Sequence, residues 1–161
     1  MVASVSDKTA ARELLASVLH LMKAPPVNLG ILCEHLNIEV YTLPCDAFGA
    51  TFTPRGEGGL LLVNDRLPQG RFRFSIAHEL GHFLLRHQPL TNIEKGRSLS
   101  QERQADAFAG ELLLPESFLR VDCETRTLSE LARRYRVSRQ ALTIRLTELG
   151  LSARNETPLV H

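Results

Sequence analysis

The stretch Arg71-Phe72-Arg73-Phe74-Ser75-Ile76-Ala77-His78-Glu79-Leu80-Gly81-His82-Phe83-Leu84-Leu85-Arg86-His87 sets Phe72, Ile76, Leu80, Phe83 and Leu84 on one helical stripe with no internal proline. It predicts the central helix of the fold, with Gly81 as its one weak helix former. Inside it stands His78-Glu79-Leu80-Gly81-His82. At about 3.6 residues per turn, positions 78 and 82 stack on one face, so two imidazole nitrogens can reach one divalent ion from a single rigid element. Glu79 lies about 100° round the helix, beside such an ion and outside its shell. There it can take a proton from an attacking water and deliver it to a leaving amine, while zinc brings the water's pKa toward about 7. Residue frequencies in this chain give about 0.02 expected matches to the motif. The competing reading is a pair of helix histidines bonded to backbone or carboxylates; the strong helix and a companion motif downstream weigh against it.

A catalytic zinc site of this kind needs a third protein ligand and an open position. His87 follows His82 by five residues, half a turn off the ligand face, and the metzincin spacing asks for a glycine and a histidine six residues on, so His87 fails. Cys123 has no spacing rule in its favour, and a buried free thiol suits it better. Glu102 opens a separate helix and is followed four residues later by Asp106 on the same face. Glu102 would bind the metal while Asp106 accepts the other ring N–H of a liganding histidine. Surface acids at a helix N-terminus are the plain alternative for this pair.

Outward from this core, residues 6–24 read as an amphipathic helix stopped by Pro25-Pro26, and 28–36 as a short helix with Asn28 as N-cap. Residues 38–43 alternate as a strand. Residues 50–53 and 59–64 flank a turn at 54–58 and predict a hairpin. Residues 88–99 read as a loop ending at the N-cap candidate Ser100, with a helix over 101–114 up to Pro115. A short segment at 116–121 and two helices, about 128–136 and 138–149 with Gly150 as C-cap, complete the order. The expectation is an α+β fold, mostly helical, with a small three-stranded antiparallel or mixed sheet. Residues 1–150 form one domain, and 151–161 a loose tail.

Two blocks of sequence, 73–85 around the histidine motif and 102–115 (Glu102-Arg103-Gln104-Ala105-Asp106-Ala107-Phe108-Ala109-Gly110-Glu111-Leu112-Leu113-Leu114-Pro115), together resemble the ImmA/IrrE family of metallopeptidases. The resemblance runs from about residue 28 to 150. It implies a minimal, zincin-like (gluzincin-type) metallopeptidase core with His78, His82 and Glu102 as ligands and Glu79 as base. It further implies cleavage of a helix-turn-helix repressor of the Xre type, in a stress response or in control of a mobile element. Ser75 stands where the family has Thr, and Asp106 where it has Asn. The sensory domain of the radiation-response members has no counterpart here, so control is expected to act on this domain, its expression or its substrate. If the strand 59–64 borders the cleft, Gly59, Leu60, Leu61 and Leu62 would receive an extended substrate as an added strand. No spacing rule selects an oxyanion-stabilising residue among Tyr41, Tyr135, Arg71, Arg73 and His87; Arg73 is an alternative anchor for the helix start.

The chain has 161 residues, 43% hydrophobic and 23% charged, with a net charge of +1. That excludes wholesale disorder and a bulk positive charge for nucleic acid. Residues 128–149 nevertheless outline a helix-turn-helix, and 126–148 hold six Arg against two Glu. Direct DNA binding through them, or a non-catalytic antitoxin-like role, is the rival reading; packing on the peptidase core is favoured. Three cysteines without a C-x-x-C pair, and no signal peptide or membrane span, point to the cytoplasm. Zinc is the expected metal, with manganese or iron as substitutes for the same donor set.

Overall fold

The computed structural model describes residues 6–21, 24–87 and 97–155. Its helices are α1 (Asp7–Val18), α2 (Leu29–His35), α3 (Gln69–Leu84), α4 (Leu99–Leu113), α5 (Glu116–Asp122), α6 (Leu128–Tyr135) and α7 (Arg139–Leu149), and its strands β1 (Ile38–Leu43), β2 (Ala50–Arg55) and β3 (Gly58–Asn64). The fold is α+β, helix-rich around one small mixed sheet.

The sheet order is β1-β3-β2, with β3 parallel to β1 and antiparallel to β2. The parallel pair follows from the long connection between β1 and β3, and the antiparallel pair from a two-residue turn. That turn is tighter than the predicted 54–58. Gly56 takes φ 57° at the reversal, which leaves Pro54 inside β2, opposite Gly59. Because β2 is an edge strand, Pro54 can forgo an N–H toward the outside.

The first helix ends sooner than 24, passing at Val18 into a 3-10 turn over Leu19–Leu21; residues 22 and 23 lie outside the described ones. Asn28 caps α2 as its sequence predicts, accepting from the N–H groups of Gly30 and Ile31. The cap of α4 is Ser98 and not Ser100. Ser98 Oγ accepts from Gln101 N, and Gln101 Oε1 accepts from Ser98 N, a reciprocal box that Ser100, with Arg103 three residues on, cannot make. The loop expected before it falls mostly at 88–96, and the tail at 156–161, outside the described residues.

α3 lies between two layers. On the sheet side Phe83 packs on Phe52 of β2, ring centroids 5.0 Å apart. On the other side Gly81 meets α4, where a Cβ would stand 3.0 Å from Phe108 Cδ1 and 3.2 Å from Ala105 Cα. The weak helix former is therefore the point where two helices cross closely. Gly81→Val should cost about 1–3 kcal/mol through overpacking, lowering the thermal midpoint by about 2–4 °C per kcal/mol in a differential scanning measurement. α6 and α7 join the same buried cluster through Leu131, Tyr135, Leu142 and Leu146. Tyr135 donates to buried Asp122 at 2.9 Å. Burial opposes ionisation of Asp122, but bonds from Arg134, Tyr135 and Arg126 outweigh it and hold the carboxyl below its ordinary value.

Candidate metal centre

His78 and His82, one turn apart on α3, turn their Nε2 atoms toward each other at 2.9 Å. The N-terminal turn of α4 brings Glu102 to the same point, with Oε2 3.1 Å from His78 Nε2 and Oε1 3.5 Å from His82 Nε2. Among the described residues these three form the group whose donor atoms, all within 4.8 Å of one another, could hold a metal ion. Two imidazoles and one carboxylate suit zinc, with a position left for water. His82 is 2% exposed, and burial first, then Arg97, His78 and His87, push its pKa down to about 3. Its imidazole stays neutral, the form that binds metal.

The outer nitrogens are also held. Asp106 Oδ1 stands 2.8 Å from His78 Nδ1, one helical turn past Glu102 on α4. His87 Nδ1 stands 2.8 Å from His82 Nδ1. Burial keeps His87 below its ordinary pKa, against a hydrogen bond with Gln104 that favours the charged form. His87 is thus outside the three-donor group, and so is Cys123, a buried free thiol whose pKa burial raises.

Glu79 is 5% exposed and borders the main cleft beside His78. Both its oxygens are engaged by Arg97, Nη1 to Oε1 at 3.1 Å and Nη2 to Oε2 at 3.0 Å. Arg97 Nε is buried without a hydrogen-bond partner. Nothing in the sequence pairs residue 97 with Glu79: the contact joins two elements through the chain path, with no local spacing to betray it.

The cleft measures about 990 Å³ and is walled by α3 (Phe74, His78), α4 (Arg103, Gly110) and α7 (Ile144, with the N-cap Ser138), with Gly49 and Ala50 at its β2 end. This corrects the expected role of Gly59, Leu60, Leu61 and Leu62. β3 is the middle strand, hydrogen-bonded on both sides, so no substrate strand can be added to it. Leu61 is fully buried, and the strand end that reaches the cleft belongs to β2. Neither phenol faces the cleft: Tyr41 OH donates to Glu39, and Tyr135 is buried on Asp122. Arg73 does anchor α3, its Nη2 donating to Val27 O at 2.7 Å. A separate pocket of about 430 Å³ gathers Arg133, Arg136 and Arg139 beside the start of α3.

A helix-borne histidine pair is met by a carboxylate from the next helix at the side of a cleft in an α+β fold, a donor set that could hold a metal ion there. The sequence profile of the IrrE N-terminal-like domain, peptidase M78, matches residues 33–147, and the chain belongs to this family of metal-dependent peptidases. No curated protein matches. Among solved structures the chain is similar to a Mycobacterium tuberculosis transcriptional regulator, at 24% identity and a TM-score of 0.61, over 88% of this chain and 46% of that one. The chain therefore spans about half the length of that relative, and the likeness is one of fold.

Proposed function

We propose that the chain is a zinc-dependent endopeptidase that cuts a helix-turn-helix repressor of the Xre type and so relieves repression, in a stress response or in control of a mobile element. The observation that carries this reading is the convergence of His78 Nε2, His82 Nε2 and a Glu102 oxygen on one point next to Glu79. His78, His82 and Glu102 would hold a zinc ion, or manganese in its place, which when bound would lower the pKa of a water toward about 7 and polarise the scissile carbonyl.

The side chains do the rest. His78 and His82 hold their ring planes from a rigid helix, and Asp106 fixes His78 in the tautomer with Nε2 free, as the 2.8 Å contact at Nδ1 requires. Glu79 accepts the proton of the attacking water and returns it to the leaving amine. For this, one oxygen must share its bond to Arg97 with the water, and Arg97 meanwhile balances the buried carboxylate. The substrate lies in the cleft between α3, α4 and α7; an extended segment runs along the outer edge of β2, where Gly49 and Ala50 border the cleft.

The apolar faces of α6 and α7 join the common core, and Ile144 of α7 and its N-cap Ser138 line the cleft. That placement favours substrate contact over direct DNA binding. No helix among the described residues is long and apolar enough to cross a membrane. Free Cys33, Cys45 and Cys123 fit a reducing cytoplasm. The test is to incubate the zinc-loaded chain with purified Xre-type repressors and follow their cleavage by mass spectrometry. One repressor cut at one bond, and spared under chelation, is expected. Cleavage indifferent to chelation, or strongly salt-dependent duplex binding that survives loss of His78 with no cleavage, would overturn it.

A further inference from the structure

α3 ends in a way that brings one more side chain to the centre. Its last helical residue is Leu84, Arg86 takes φ 55°, and His87 N–H donates to His82 O at 2.9 Å. This is the six-to-one closure of a Schellman motif, which returns the residue after the left-handed turn, His87, onto His82, five residues before it. Such motifs usually carry an apolar contact at that place. Here both residues are histidines, with rings at 67° and centroids 4.9 Å apart.

The two Nδ1 atoms lie 2.8 Å apart, so one must donate and the other accept. His82 directs Nε2 at His78 and Glu102. An imidazole that gives its Nε2 lone pair to a metal keeps its proton on Nδ1, so His82 donates and His87 accepts. His87 then carries its own proton on Nε2. Gln104 of α4 acts on the His87 side chain in the sense that favours its charged form, as an amide oxygen accepting that proton would. Asp106, two residues on, holds His78. One helix thus grips both histidines from behind, His78 directly and His82 through His87.

We infer that His87 is a positioning residue of the metal centre: it binds no ion, and it fixes the tautomer and ring plane of His82 by accepting its Nδ1–H. This rests on the ligand reading of His78, His82 and Glu102. It also turns a residue that spacing excludes as a ligand into part of the site.

The test is zinc affinity, read by competition with a chromophoric chelator, on the full chain and its variants. Metal-free circular dichroism and thermal unfolding serve as the folding control. His87→Ala should bind zinc about 10–100-fold more weakly than the parent, with stoichiometry kept. His87→Gln, whose amide oxygen can accept the same proton, should recover part of the loss. His82→Ala should hold no stoichiometric zinc. Unchanged affinity in His87→Ala would overturn the inference, as would a loss as complete as that of His82→Ala, which would make His87 a ligand. Equal weakening in His87→Gln and His87→Ala would reduce the residue to packing and overturn it too. A parent chain that binds no zinc would instead overturn the metal-site reading beneath it, and the two failures are told apart by the parent alone.

Discussion

Glu79→Gln is expected to keep the metal and lose about 10²- to 10⁴-fold in kcat/KM, the range that a positioned general base contributes. The exchange preserves volume and one hydrogen-bond acceptor, and Glu79 lies outside the His78–His82–Glu102 donor group. What it removes is an oxygen that can hold a proton. It also leaves the buried Arg97 guanidinium without a counter-charge, at side-chain exposures of 6% for both partners. Some loss of stability must therefore accompany the loss of rate. Zinc content, thermal midpoint and repressor cleavage measured on one preparation separate these effects. A variant that holds zinc, stays folded at the assay temperature and still cleaves at the parent rate would remove Glu79 from the chemistry.

The largest effect on stability is expected at Glu111. This α4 carboxylate, 2% exposed, is bonded to Arg145 of α7, itself 3% exposed, and to Arg12 of α1 at 3.1 Å. Arg145 also donates to Leu114 O at 3.2 Å and to Glu148 at 3.3 Å. Glu111 thus ties α1, α4 and α7 together, and α7 forms the far wall of the cleft. Glu111→Ala leaves the buried Arg145 guanidinium with only the half-exposed Glu148 as counter-charge, and breaking a buried pair from one side costs about 3–5 kcal/mol. Urea unfolding should show a loss of that size. The double exchange Glu111→Leu with Arg145→Met should recover much of it, since a packed apolar pair removes the stranded charge. A loss below about 1 kcal/mol in Glu111→Ala would mean that water reaches Arg145 and that the network is not a tie.

What was legible in the sequence is what depends on local spacing. His78, Glu79 and His82 follow from one helix and its period, and Glu102 with Asp106 from a second. The geometry adds that the two helices meet at Gly81, a residue that reads from sequence only as a flaw in α3. The Ser98-x-x-Gln101 box was present in the sequence as well, and is a stronger start signal than Ser100. Strand order was not legible. A hairpin at 50–64 leaves open which arm is flanked by β1, and the parallel pairing of β1 with β3 moved the open edge to β2. Three partnerships were hidden for one reason: Arg97 with Glu79, His87 with His82 and Arg145 with Glu111 depend on chain reversal or on packing between distant elements. An arginine within an amphipathic pattern reads as exposed until a buried carboxylate is found facing it.

Metal content decides whether His78, His82 and Glu102 form a three-ligand site. The parent chain, His82→Ala and Glu102→Ala are purified, dialysed and analysed for zinc and manganese. About one zinc per parent chain is expected and none retained by either variant, because the site needs its third protein ligand. A metal-free parent, or metal that remains in Glu102→Ala, would contradict it.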